Sequence, residues 1–148
     1  MLSTFFAISL LLAPTSSPNQ PTGIPENYHG IWKITEVMDE DGTRTTSDEE
    51  KFSDCSPVEL IVTGNRIISV RDDGSSVVAK VKVLKNRKQL TLCLRTGIYH
   101  DKEQVPTYWN VRLDGDKLSI ELAIDQYKSD PRNDRTAVPS FQAHRETK

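Results

Sequence analysis

Residues 58–95 read VELIVTGNRIISVRDDGSSVVAKVKVLKNRKQLTLCLR, and the period of this stretch decides the fold. Apolar and polar side chains alternate in short runs, broken by turn residues. A period of two belongs to a strand with one buried face; a helix would repeat its apolar positions every three or four residues. The stretch therefore divides into strands at 58–62, 66–71, 77–84 and 89–95. The turns between them are Thr63-Gly64-Asn65, Asp72-Asp73-Gly74-Ser75 and Lys85-Asn86-Arg87-Lys88.

The same pattern continues on both sides. IWKITEV at 31–37 is a strand before it; TYWNVRL at 107–113, KLSIELA at 117–123 and PSFQAHR at 139–145 are strands after it. Asp114-Gly115-Asp116 is a strong hairpin signal, because Gly readily takes positive φ. One face of the later strands is apolar: Leu90, Leu92 and Leu94; Trp109, Val111 and Leu113; Leu118, Ile120 and Leu122. The other carries Thr91, Cys93 and Arg95; Tyr108, Asn110 and Arg112; Lys117, Ser119 and Glu121. One dry and one wet face is the signature of antiparallel sheet. Residues 47–52 allow a helical turn or two and nothing longer. Eight strands in succession, most joined by tight turns, make an antiparallel meander. Closing it removes the exposed edges, so the expected fold is all-β, a single eight-stranded antiparallel up-and-down barrel. An open two-sheet sandwich is the alternative.

At 148 residues the chain has room for one such domain. With 19 Lys and Arg against 21 Asp and Glu, its net charge of -2 argues against a nucleic-acid binder, which needs a basic surface. Two Cys exclude a disulfide-dense scaffold and a four-thiolate zinc site.

Before the first strand, residues 1–27 hold one charged side chain, Glu26. The apolar run FFAISLLLA at 5–13 is too short to cross a bilayer core, which takes about 20 residues. It has the length of a signal-peptide core, although no Lys or Arg precedes it. The expected organisation is a signal peptide at 1–17, cleaved between Ala13 and Ser17, a proline-rich linker at 18–27 and the barrel at 28–148. No Cys follows the apolar run to accept a lipid. The chain is expected to be exported, periplasmic or secreted, without a membrane span. Oxidising surroundings would let Cys55 and Cys93 pair. Closing the 37 residues between them would stabilise by roughly 3–4 kcal/mol in the chain-entropy model; two free, half-buried thiols are the alternative.

Gly30-Ile31-Trp32 at the start of strand one resembles the G-x-W of lipocalin-like barrels. The order GIW, EDG, LDGDKLSIELA, Asp130-Pro131-Arg132 and Phe141 before a terminal Arg is similar to a small uncharacterised family of exported lipocalin-like domains of planctomycete type. The resemblance covers about residues 28–146. Two features depart from it: a Tyr usual before the L-D-G-D hairpin is missing, and the late Arg-Pro pair is inverted. It implies architecture and export, and no assigned reaction. It also implies structural roles for Gly30, Trp32 and Arg145: the Trp closes one end of the barrel and the Arg stacks across its ring. Parity agrees, since Phe141, Ala143 and Arg145 share a face.

No catalytic constellation stands out. His29, His100 and His144 fall in separate segments without ligand spacing, and no His neighbours either Cys to activate a thiol. Asp39-Glu40-Asp41-Gly42 with Asp48 fails as a calcium loop because Val37 holds its first ligand position. No G-x-S-x-G, P-loop or dinucleotide fingerprint occurs. No metal, cofactor or catalytic residue is expected, and the chain reads as a non-enzymatic monomer.

Function then defaults to the barrel interior. Parity puts Trp32, Ile34, Leu60, Leu92, Trp109, Val111, Ile120 and Phe141 on its lining. Glu36 shares parity with Trp32 and would reach a ligand head group if it faced inward; exposure at the strand end is the alternative. The expected function is binding of a small hydrophobic molecule in the lumen. The alternative is a filled barrel that meets a protein partner through its loops, with Tyr99-His100-Asp101 and the segment 128–135 as contacts.

Overall fold

The expected strands close on themselves. The computed structural model describes residues 23–55, 57–96, 98–99, 102–103, 106–122 and 139–147. Its strands are β1 (Gly30–Met38), β2 (Arg44–Thr46), β3 (Glu59–Thr63), β4 (Arg66–Val70), β5 (Ser76–Asn86), β6 (Leu90–Arg95), β7 (Ile98–Tyr99), β8 (Lys102–Glu103), β9 (Thr107–Asp114), β10 (Lys117–Leu122) and β11 (Ser140–Arg145). Each of β1, β3, β4, β5, β6, β9, β10 and β11 pairs with the next, and β11 returns to β1. This is a closed eight-stranded antiparallel up-and-down barrel with β2 as one extra strand. The eight barrel strands are those the sequence pattern marks; the short β2 and the β7–β8 hairpin are additions. The helical turn falls slightly later than expected, as α1 (Phe52–Cys55) after turns at 47–51.

One end of the barrel is plugged. Trp32 is completely buried, and its indole N–H donates to the Tyr28 carbonyl at 3.0 Å. The Arg145 guanidinium carbon lies 4.2 Å from the Trp32 ring centroid, the stacking that the family resemblance implies. Arg145 also donates to the carbonyls of His29 and Asn27, the latter at 2.6 Å, and so fastens the 3₁₀ turn Glu26–Tyr28 across the plugged end. Gly30 makes room for this contact. Its φ is 135°, a region closed to L side chains, and a Cβ there would sit 3.0 Å from an Arg145 guanidinium nitrogen.

The expected linker is shorter than 18–27. Ile24 belongs to the buried core and donates its N–H to the Gly64 carbonyl at 2.9 Å. The folded part thus includes at least Gly23 to Asn27. The signal segment 1–17 lies outside the described residues. Among the described residues, no helix is long and apolar enough to cross a membrane.

Two bulges interrupt the alternation. In β1 the pairing with β11 slips between Ile34 and Glu36, so Val37, not Glu36, follows Ile34 into the core. In β5 the slip lies between Val83 and Lys85. A bulge adds one residue to one strand and reverses facing beyond it. Glu36 is therefore outside, paired with Arg44 at 3.0 Å.

Trp32→Ala is expected to lower unfolding free energy by about 3–5 kcal/mol, the cost of truncating a buried aromatic. Gly30→Ala is expected to lower it by about 1–3 kcal/mol through backbone strain. Urea unfolding of both variants checks this; a loss below about 1 kcal/mol for Trp32→Ala would contradict the plug.

Candidate functional site

The inward side chains divide the lumen into two unequal halves. On the plugged side Leu60, Val62, Ile67, Leu90, Leu92, Val111, Leu118 and Ile120 meet Ile24 and Tyr28 around a gap of only about 10 Å³. That volume holds at most one water, and its walls are apolar. Tyr28 sits at its edge, and burial raises its phenol pKa. This half is a packed core.

Beyond Leu60 the packing opens. A cavity of about 190 Å³ is lined by Ile34, Pro57, Leu60, Ser69, Arg71, Val77, Trp109 and Phe141. Cross-strand register explains its walls. Leu60, Ser69 and Val77 are direct neighbours on β3, β4 and β5. On β4 the small Ser69 faces the cavity where the plugged side has the larger Ile67, and that difference leaves space. On the opposite wall the rings of Trp109 and Phe141 are tilted by 50° with centroids 6.3 Å apart. Such tilted aromatic pairs are favourable beyond their buried area.

Of the eight expected lining residues, Ile34, Leu60, Trp109 and Phe141 bound this cavity. Leu92, Val111 and Ile120 face inward but only fill the core, and Trp32 is the plug. Pro57, Ser69, Arg71 and Val77 are absent from the expected set. Pairing Leu60 with RIISVR and then with the next strand would have found Ser69 and Val77, since hairpin register follows from the turn between them. Ser69 and Arg71 place a hydroxyl and a guanidinium on otherwise apolar walls.

The other sequence candidates do not converge on this cavity. Cys93 has outward parity, yet it is buried, with Lys82 and Tyr108 as cross-strand neighbours; it is a free thiol. The Cys55 side chain lies outside the described residues. His29 donates from Nε2 to the Ile24 carbonyl at 2.8 Å, so it braces the plugged end. His144 faces outward and is exposed. His100, Asp101, the side chain of Tyr99 and the segment 128–135 lie outside the described residues. Asp39 and Asp41 both accept from the Thr43 N–H, at 3.0 and 2.9 Å, and close the β1–β2 turn. Hydrogen bonds from Asp39 and Thr43 push the Asp41 pKa down to about 2, while the neighbouring Asp41 raises that of Asp39. Among the described residues no group of three His, Cys, Asp or Glu could hold a metal ion.

No family model, curated protein or solved structure matches the chain. The geometry alone defines the class: a closed barrel compatible with a lipocalin-like fold, filled at one end and hollow at the other.

The two halves are expected to respond differently to truncation. Leu92→Ala, in the filled half, is expected to cost about 2–5 kcal/mol. Val77→Ala, at the cavity wall and 44% exposed, is expected to stay within about 0.5 kcal/mol of the parent. Chemical denaturation of both variants reads the difference; equal losses would mean that the cavity wall is as tightly packed as the core.

Proposed function

We propose that the protein is a non-enzymatic, exported lipocalin-like barrel that holds a small hydrophobic molecule in the open half of its lumen. The observation that carries this reading is the cavity of about 190 Å³ between Leu60, Val77, Trp109 and Phe141. A dry engineered cavity of about 150 Å³ accepts benzene, whereas drug-sized ligands need about 300 Å³ or more. The fitting ligand is therefore a single ring or a short branched chain of roughly six to nine heavy atoms. Long-chain lipids are too large to be enclosed.

Affinity follows from size. Enclosing roughly 150 Å² of apolar ligand surface contributes about 4 kcal/mol before the cost of association is subtracted, so binding is weak, millimolar or weaker. A charged group on the ligand adds to this if it meets Arg71 at the cavity wall. Export agrees with the apolar run at 5–13 and with the family resemblance of the G-x-W and L-D-G-D motifs.

Titration with toluene, benzoate and palmitate, read by tryptophan fluorescence, tests the reading. Toluene and benzoate are expected to perturb emission in the millimolar range. Trp109→Phe is expected to abolish the signal, because Trp32 is sealed at the other end. Arg71→Gln is expected to weaken benzoate and not toluene. If neither small ligand perturbs the emission, the barrel is a filled scaffold that works through its loops.

A further inference from the structure

The near-neutral composition conceals a strong segregation of charge. Residues 66–95 contain eight of the 19 Lys and Arg and only two of the 21 Asp and Glu. Those two acids, Asp72 and Asp73, sit in the turn between β4 and β5. The strands β4, β5 and β6 themselves contain no acidic residue.

The register concentrates the cations further. Arg66 and Lys80 are direct cross-strand neighbours on β4 and β5. Both face outward, because Ile67 and Ala79 beside them are in the core. Lys82 and Lys85 extend the patch along β5, and both are exposed. Like charges placed directly opposite on a sheet destabilise it. Elsewhere the barrel relieves such charges: Lys33 on β1 meets Glu59 on β3 at 2.6 Å, and Arg44 meets Glu36. Among the described residues none of Arg66, Lys80, Lys82 and Lys85 has such a partner. A face that concentrates its own repulsion is complementary to an external anion.

The same face exposes apolar side chains. Val78 and Leu84, 46% and 44% exposed, bracket Lys80 and Lys82 along β5. A soluble polyanion would gain nothing from them. An anionic lipid surface would use both features, with the cations at the headgroups and the apolar side chains in the interface.

We propose that the outer face of β4, β5 and β6 docks the barrel onto an anionic membrane surface through Arg66, Lys80, Lys82 and Lys85, with Val78 and Leu84 entering the headgroup layer. This surface is independent of the lumen, and its occupant is a bilayer bearing acidic phospholipid. Val77, at the start of β5, lines the cavity, and Val78 faces outward beside it.

Co-sedimentation of the full chain with vesicles tests the proposal. Vesicles of phosphatidylcholine with phosphatidylglycerol are expected to bind it; vesicles of phosphatidylcholine alone are expected to bind far less. Lys80→Gln with Lys82→Gln is expected to weaken binding about 30-fold, from about 1 kcal/mol per basic residue at an anionic surface. NaCl at about 1 M, where the Debye length falls to about 3 Å, is expected to release the protein. The apolar run at 5–13 is common to parent and variant, so their difference reads the β4–β6 face alone. The melting temperature of the variant is expected to match or exceed that of the parent, because a repulsive row has been relieved. Val78→Ser with Leu84→Ser is expected to weaken vesicle binding and leave binding to soluble polyphosphate unchanged. Equal binding to neutral and anionic vesicles overturns the proposal, as does an undiminished affinity of the lysine variant. Polyphosphate binding as tight as vesicle binding, with no effect of the serine variant on either, reassigns the face to a soluble polyanion.

Discussion

The stacking of Arg145 on Trp32 joins the last strand to the first. A meander of eight strands has two free edges until β11 meets β1, and exposed edges pair with other chains. The contact lies at that seam, where Trp32 and Arg145 are direct cross-strand neighbours. A guanidinium over an indole contributes roughly 0.5–2 kcal/mol by itself. Its greater effect is geometric. The same guanidinium holds the carbonyls of residues 27 and 29, and the Tyr28 carbonyl takes the indole N–H. Ile24 is thereby laid over the end of the barrel. Seam, plug and entry segment are one unit, and Gly30 leaves the space it needs.

With one end closed in this way, the lumen can be hollow only at the other. Packing at interior density permits no void beside a plug built from Trp32, Leu118 and Ala143 without loss of the contacts that hold it. Toward the far end one small side chain, Ser69, stands among Ile34, Leu60, Trp109 and Phe141. The bulge in β1 contributes here. By turning Val37 inward in place of Glu36 it removes a carboxylate from the lumen and keeps that wall apolar. The displaced Glu36 then meets Arg44 of β2, the ninth strand, which pairs with β1 where β1 outruns β3.

Much of this was legible in the sequence because one period governs it. Alternation located all eight barrel strands, and the G-x-W resemblance anticipated the contact between Trp32 and Arg145. Alternation alone could not reveal the bulge, since IWKITEV keeps its pattern on paper while the pairing slips by one residue. Nor could it reveal volume. Leu92 and Trp109 have the same parity, and only their heights along the barrel separate filler from cavity wall. Ile24 was hidden by its neighbours: three prolines in 18–26 read as a linker, although one apolar side chain among them reaches the core.

The basic face was hidden by a sum. A net charge of -2 describes the chain and says nothing of where the charges stand. In a barrel the outward residues of adjacent strands form lateral rows, so the register converts VVAKVKVL and RIISVR into neighbouring cations. Among the described residues each of the eight barrel strands has two neighbours, and the short β2 presents the free edge of this sheet. The barrel strands themselves can meet other molecules at the mouth, the loops or the outer wall. β5 joins the cavity and the basic face, with Val77 on the cavity wall at its start and Lys80, Lys82 and Lys85 on the outer wall farther along the strand. The alternation that builds the barrel thus lets one strand serve the lumen with one set of side chains and the outer face with the other.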